Sequence, residues 1–288
     1  MAGMIDMLGQ ELPGRLERSC ERTDRVADAV RIGRGAPGIE RLAAHLHGRA
    51  FAPHRHDTYA IGMTISGVQT FRYRGRERHC LPGECHVLHP DELHDGAAGT
   101  EAGFAYRILY LDPALVQAVL GGRPLPFVTE PVVAARRLPE ELIAAIADID
   151  DEIDTVAAAG IAVLAAGMLA ELEDRRAAKR DRPDLVALAR VRDALAAEPH
   201  RPHRLEALER LSGLDRWSLA RGFRAAFGVS PSRFRTMRQL DRVRREIGSG
   251  AGLAEAAFAA GFADQAHMTR HFKRAYGLTP ARWAAMRG

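Results

Sequence analysis

The sequence predicts a two-domain α+β chain, an N-terminal antiparallel β-barrel followed by an all-α domain that carries two helix-turn-helix motifs. Three observations predict it. Short runs of period-two apolar alternation fill residues 24–112 and give way to a helical period beyond about residue 139. A 49-residue internal repeat lies within the helical part. Charge divides at the same place: residues 183–288 hold 19 Arg and Lys against 10 Asp and Glu, a net +9, whereas the rest of the chain carries 22 against 27, a net −5. The overall +4 conceals this partition.

At 288 residues, 47% hydrophobic and 27% charged, the chain has the size of two globular domains, and disorder, a collagen helix and a coiled-coil rod are excluded. Residues 1–23 read as an N-terminal arm; Asp6 and Glu11 stand where a signal peptide would need an apolar core. The longest uncharged run, Thr155–Ala170, is 16 residues and Ala-rich, too short for a spanning helix. A cytoplasmic protein without a membrane partner is expected. Cys20, Cys80 and Cys85 form no Cys-x-x-Cys pair and are expected to be buried free thiols.

The barrel is expected over residues 24–118. Tyr59 to Ile65 alternates, with Tyr59, Ile61, Met63 and Ile65 on one face, and similar runs occupy Thr70–Tyr73, Cys85–Leu88 and Phe104–Leu111. Gly67, Gly75, Pro82-Gly83 and Pro90-Asp91 punctuate them. Repeated short strands without intervening helices favour a closed or sandwiched antiparallel architecture, which commonly encloses one ligand.

Residues 119–180 are expected to form a helical hairpin and linker. Leu142, Ile146, Ile149, Ile153 and Val156 recur at helical spacing, as do Ile161, Leu164, Met168 and Leu172 after Gly160. This seam either packs on the barrel or pairs two subunits in a bundle. The polar stretch from Arg175 to Pro183 reads as the linker.

Residues 181–288 are helical, with motifs at about 204–228 and 253–277. The repeat aligns Asp215 with Asp264, Arg221 with Arg270, Phe223 with Phe272, Phe227 with Tyr276 and Gly228 with Gly277. Each unit has an Asp N-cap, a C′ Gly, and then Ser230-Pro231 or Thr279-Pro280 to start the next helix. Leu219, Phe223 and Phe227, like Met268, Phe272 and Tyr276, share an i, i+4, i+8 stripe that is expected to be core. The opposite faces present Arg216, Trp217, Ala220, Arg221 and Arg224 in the first copy, and Gln265, Ala266, Thr269, Arg270 and Lys273 in the second. A short helix, a turn and a capped helix with such a front suit the major groove, where Arg pairs with guanine and Gln with adenine. The surplus of Arg supplies the phosphate-neutralising charge.

These residues resemble the AraC/XylS family of transcription regulators. The resemblance spans residues 184–288 and rests on Gly213-Leu214 through Phe223, Phe227-Gly-Val-Ser-Pro231, Arg238, Glu255-Ala-Ala257, Gly261-Phe262, Asp264-Gln265, Phe272-Lys-Arg274 and Gly277-Leu-Thr-Pro280. It implies that Trp217, Ala220 and Arg221, and Gln265, Ala266, Thr269 and Arg270, face bases in successive major-groove segments about one turn (~34 Å) apart. The helix bearing Arg238, Arg242 and Arg245 would join the motifs. Glu209 departs from the family's small residue at the first turn, and is expected to reach outward or to pair with a neighbouring Arg; Ala284 replaces a frequent Arg.

The N-terminal part resembles the family's cupin-type sensor through Pro53-His54-Arg-His56, Gly67, Leu81-Pro-Gly83 and Pro90 to His94. Three roles stand open for His54, His56 and His94: polar lining of an effector pocket, ligation of a metal, or structural hydrogen bonding. The glutamate usual after the His pair in metal cupins is absent from Asp57-Thr-Tyr-Ala-Ile-Gly62, and no metal or other cofactor is expected. Strand alternation nominates Tyr59, Arg72 and Tyr106 as pocket neighbours, whereas His79, His86 and His89 carry no signal. Double-stranded promoter DNA, a small-molecule effector, RNA polymerase and a second copy of the chain are the expected partners. The alternative is a metal-dependent cupin enzyme with an appended DNA-binding domain; no nucleophile–base pair or phosphate loop suggests any other enzyme.

Overall fold

The computed structural model describes residues 28–173 and 183–286. The expected N-terminal arm, Cys20 and most of the expected linker lie outside the described residues.

Among the described residues ten strands form two antiparallel sheets: β1 (Ala29–Ile32), β2 (Ile39–Leu46), β3 (Arg49–His54), β4 (Tyr59–Gly67), β5 (Gln69–Tyr73), β6 (Arg76–Cys80), β7 (Glu84–Leu88), β8 (His94–Ala98), β9 (Phe104–Leu111) and β10 (Val132–Ala134). One sheet has the order β1-β2-β9-β4-β7-β10 and the other β3-β8-β5-β6. Period-two alternation divides the larger sheet into two faces. Tyr59, Ile61 and Met63 of β4, Cys85 and Val87 of β7, and Leu109 and Leu111 of β9 face outward and are buried under helices. Ala60, Leu88, Tyr106 and Ile108 face inward, with Phe71 and Tyr73 of β5 opposite. Cys80 and Cys85 are buried free thiols; burial pushes the former up to about 11 and the latter to about 12.

Helix α1 (Pro113–Leu120) follows the barrel, and β10 then returns to pair with β7, Val133 opposite Cys85. Sheet structure therefore extends past residue 118 into the stretch expected to be helical. The hairpin differs too. Helix α2 (Glu140–Ala147) ends well before Gly160, residues 148–154 are irregular with a bend at 149–151, and α3 (Thr155–Leu172) runs through Gly160 without interruption. The break is made by Arg41 of β2, only 2% exposed, whose guanidinium donates to the carbonyls of Arg34 at 2.8 Å and Ala145 at 3.2 Å, and to those of Asp148 and Asp151. A buried cation needs acceptors, and an unwound segment offers carbonyls that a helix would keep for itself. Asp154 then caps α3 through Ala157 N at 2.7 Å. Ile161, Ala165, Ala166, Met168 and Leu169 pack on the barrel, while Val156, Gly160, Val163 and Gly167 face outward and are exposed. α3 is also the one helix among the described residues long and apolar enough to cross a membrane by length and composition.

The helical domain comprises α4 (Leu185–Ala197), α5 (Leu205–Ser212), α6 (Arg216–Phe227), α7 (Pro231–Gly248), α8 (Leu253–Ala259), α9 (Gln265–Tyr276) and α10 (Pro280–Ala285). Two cores fill it. Leu188, Val191, Leu195, Leu219, Phe223, Phe227 and Phe234 make the first. Met237, Leu240, Val243, Ala257, Phe262, Met268, Phe272 and Trp283 make the second, so that α7 contributes to both.

Candidate functional site

The α5–α6 and α8–α9 pairs coincide with the two expected motifs. Asp215 Oδ1 accepts Trp217 N at 2.9 Å and Ser218 N at 3.1 Å, and Asp264 Oδ1 accepts His267 N at 2.6 Å. Each recognition helix is thus started by its own carboxylate. Gly228 (φ 75°) and Gly277 (φ 70°) end them in the left-handed conformation. Glu209 adds a second support: its carboxylate accepts Arg216 N at 2.8 Å and lies 3.6 Å from Arg216 Nε. The residue that departs from the family pattern therefore satisfies the first amide of α6.

Arg216, Trp217, Ala220, Arg221 and Arg224 on α6, and Gln265, Ala266, Arg270 and Lys273 on α9, are all exposed; Thr269 is half-buried. Trp217 is 67% exposed, a large aromatic surface that no core claims. These two fronts can offer bidentate donors to base edges, with flanking cations for phosphates.

Both motifs are docked on the barrel. Arg224 Nη1 lies 3.0 Å from Asp91 Oδ2, and Leu125 N donates to Ala225 O at 3.2 Å, which holds α6. The C-terminal end of α9 meets β3, an edge strand: Ala52 N donates to Gly277 O at 3.1 Å and Arg55 N to Arg274 O at 3.0 Å. Orphan amides of a sheet edge and orphan carbonyls of a helix end satisfy one another. A Cβ on Gly277 would stand 2.8 Å from Ala52 O, so only glycine permits this approach. Arg238 of α7 pairs with Asp57 at 2.6 Å, Arg244 with Glu40 at 2.7 Å, and Arg282 with Asp28 at 2.8 Å. The basic domain thus sets part of its charge surplus against carboxylates of the barrel.

Between barrel and helices lies a cavity of about 270 Å³. Phe51, His54, His56, Phe71, His86, His94, Tyr106 and Tyr110 line it from the barrel, and Met237, Arg238, Asp241, Tyr276 and Trp283 from the helical domain. Four of the six sequence-nominated pocket residues (His54, His56, His94 and Tyr106) are brought together here. Tyr59 and Arg72 are not. Tyr59 lies on the outward face of β4 under the helices, where its hydroxyl donates to Pro126 O at 2.9 Å, and Arg72 points to solvent between the inward-facing Phe71 and Tyr73. Parity along each strand decides both cases, and the same parity, applied to β7 between Cys85 and Val87, would have placed His86 inside.

The imidazoles are the distinctive polar groups of the cavity. The His94 ring centroid lies 4.2 Å from that of His54 and 4.7 Å from that of His56. Burial drives all of them toward the neutral form, aided at His54, His56 and His86 by the His94 ring: His94 falls to about 4, His86 to about 3, and His54 and His56 well below the ordinary value. Gly62 makes room for the His86 ring, since a Cβ there would lie 2.2 Å from its Cε1. Asp57 is pushed up to about 6 by burial, against the pull of Arg238. Among the described residues no group of three or more His, Cys, Asp or Glu side chains stands as a metal ion requires. His89 is structural, accepting Val128 N at 2.9 Å and stacking on Phe127, and His79 is exposed.

Comparison with known proteins places both halves. Residues 36–165 match the AraC-like ligand binding domain family and residues 208–286 a helix-turn-helix domain family. An uncharacterized HTH-type transcriptional regulator, YbfI of Bacillus subtilis (strain 168), is 25% identical over 247 residues, covering 79% of this chain and 88% of that one. The fold is similar to that of ToxT from Vibrio cholerae, with a TM-score of 0.62 at 12% identity over 86% of this chain and 98% of ToxT. An unsaturated fatty acid-bound form of ToxT superposes with a TM-score of 0.60 at 12% identity, over 92% and 98% of the two chains.

Proposed function

Because the chain belongs to the AraC family of DNA-binding transcription regulators, with an AraC-like ligand-binding domain ahead of a helix-turn-helix domain, we propose that its effector occupies the interdomain cavity and acts by changing how the two recognition helices are held. One observation carries this reading: the cavity wall is shared, His54, His56 and His94 from the barrel facing Met237, Arg238 and Asp241 of α7, the helix that joins the two motifs. A ligand there touches both domains at once. It shifts the balance of arrangements only by the difference in its affinity for them, and a shared wall is where such a difference arises. That ToxT has been seen with a bound small molecule supports the reading.

The regulator acts in the cytoplasm, not as an enzyme, and engages promoter DNA and RNA polymerase. It pairs with a second copy through the outer face of α3, around Val163. Val163→Lys should return a dimer to monomer in sedimentation; an unchanged mass means that another surface pairs. Fluorescence anisotropy with DNA from upstream of the gene, titrated with salt, tests the DNA half. Site-specific binding with a steep salt slope is expected, and binding that is blind to sequence overturns the reading. Met237→Trp, which fills the cavity, tests the effector half: it should abolish the response of DNA binding to cell-extract metabolites. A retained response places the effector elsewhere.

A further inference from the structure

We propose that the cavity is built for a primary amine, with His54, His56 and His94 forming a three-acceptor socket for its ammonium head; this rests on the cavity being the effector site. Each ring is fixed in one tautomer by the same device. His54 Nδ1 meets Ala52 O, His56 Nδ1 meets Thr58 O, and His94 Nδ1 meets Glu92 O, each at 2.9 Å. A carbonyl only accepts, so each Nδ1 carries the proton, and in a neutral imidazole Nε2 is left as a lone-pair acceptor. No described residue donates to any of the three Nε2 atoms. With centroids 4.2, 4.7 and 6.2 Å apart, the three rings cluster on one side of the cavity.

Three neighbouring acceptors call for a group with three donors. An ammonium supplies three N–H bonds on one nitrogen, and its charge strengthens each hydrogen bond. A metal ion would need nitrogens at ~2.0–2.1 Å, whereas an N–H donor stands about 2.9 Å from its acceptor and suits a wider ring of imidazoles. That agrees with the lack of a metal-holding group among the described residues.

The charge around the cavity points the same way. Among the described residues its lining contains five carboxylates and three guanidiniums. The guanidiniums are already engaged: Arg41 with backbone carbonyls, Arg238 with Asp57 and Asp241, and Arg244 with Glu40. Among the described lining residues an anionic ligand would find no unpaired cation and would set its oxygens against acceptor nitrogens; Arg233, near enough to His54 and His56 to lower the pKa of both, lies outside that lining and donates to Arg55 O. A second polar anchor lies deeper. His86 is 1% exposed, lines the same cavity and has no hydrogen-bond partner among the described residues for either ring nitrogen, so it is positioned to bond a hydroxyl or amide on the body of the ligand. Phe51, Phe71 and Tyr106 provide apolar contact for that body.

The test titrates the full chain with three matched probes, phenethylamine, 2-phenylethanol and 3-phenylpropanoate, by calorimetry and thermal shift. The amine is expected to bind at least about tenfold tighter than the carboxylate, because a site whose buried acceptors stay unpaired rejects the analogue without donors. His94→Leu should remove that preference. The ¹⁵N resonances of the histidine rings in the unmodified protein should also report new hydrogen bonds at Nε2 of all three, independently of how any variant folds. A carboxylate that binds tighter, an amine that fails to bind at millimolar concentration, or stoichiometric Zn²⁺ binding lost in His94→Leu overturns the amine assignment. If the carboxylate or alcohol binds and Met237→Trp abolishes it, the cavity remains the effector site and only the ligand class fails. Amine binding that survives both Met237→Trp and His94→Leu overturns both readings.

Discussion

Phe227 and Tyr276 occupy the same place in the two repeats, and their surroundings differ. Phe227 closes the core of the first motif, 4% exposed, with its ring 4.7 Å from Phe223. Tyr276 ends an equivalent stripe but turns its hydroxyl toward Asp241, at 3.4 Å, and lines the interdomain cavity. The first motif is held by the Arg224–Asp91 ion pair and a backbone hydrogen bond from Leu125, and the second by backbone hydrogen bonds to β3 and by residues that form the cavity wall. Two units built to one plan are thus attached by different chemistry. A ligand in the cavity reaches the second motif directly, and the first only through α7.

The largest effects come from the paired core aromatics. Phe223→Ala and Phe272→Ala should each cost about 3–5 kcal/mol in chemical denaturation, since both are 0% exposed. Only Phe272→Ala should also weaken ligand binding in the cavity. Equal losses of binding would mean that the two motifs are coupled to it alike.

Arg238→Ala, which strands the buried Asp57, should cost roughly 3 kcal/mol at pH 8. The folded pKa of Asp57 is already raised to about 6 and would rise further without the guanidinium. A raised carboxylate pKa means that the folded state holds the proton more tightly, so the penalty shrinks as pH falls toward 5 and grows as it rises. The difference in Tm between variant and parent at the two pH values checks the sign. The parent itself should lose stability below about pH 6, because the buried imidazoles have lowered pKa values and bind fewer protons folded than unfolded.

Arg221→Ala and Arg270→Ala, equivalent in the repeat, should each cost about 1–3 kcal/mol at one base pair, one turn of DNA apart. Uniform losses on all sequences would mean that these arginines contact phosphate. The smallest effect belongs to the Arg224–Asp91 pair, in which only the arginine is well exposed. Asp91→Asn, which suits the left-handed backbone there (φ 61°), should change stability by about 1 kcal/mol. By freeing Arg224 for a phosphate, it should steepen the salt dependence of DNA binding by about one charge. An unchanged slope would show that Arg224 does not reach the DNA.

The recognition helices were legible because their signals are local. A cap, a C′ glycine and a stripe at helical spacing lie within a dozen residues of one another, and the repeat states them twice. The cavity was legible in part. His54, His56 and His94 stand out by type and spacing, but alternation nominated Tyr59 and Arg72 and passed over His86, because parity excludes the first two and admits the third only once the inward face of each strand is known. The helix break was not legible, because Arg41 lies more than 100 residues from the carbonyls of Ala145, Asp148 and Asp151 that it holds. Nor was the pairing of Arg238 with Asp57 or of Arg224 with Asp91, since no local pattern says which of many arginines meets which carboxylate.

By itself, then, the sequence determined the two domains, the two capped recognition helices with their exposed fronts, and a histidine-bearing barrel, all consequences of short-range periodicity and backbone chemistry. Tertiary structure alone decided that both motifs dock on the barrel and that the cavity opens between the domains rather than wholly within one. It also decided that part of the opposite charge of the two halves is neutralised internally. Those outcomes depend on contacts between residues far apart in the chain, where burial, not spacing, selects the partner.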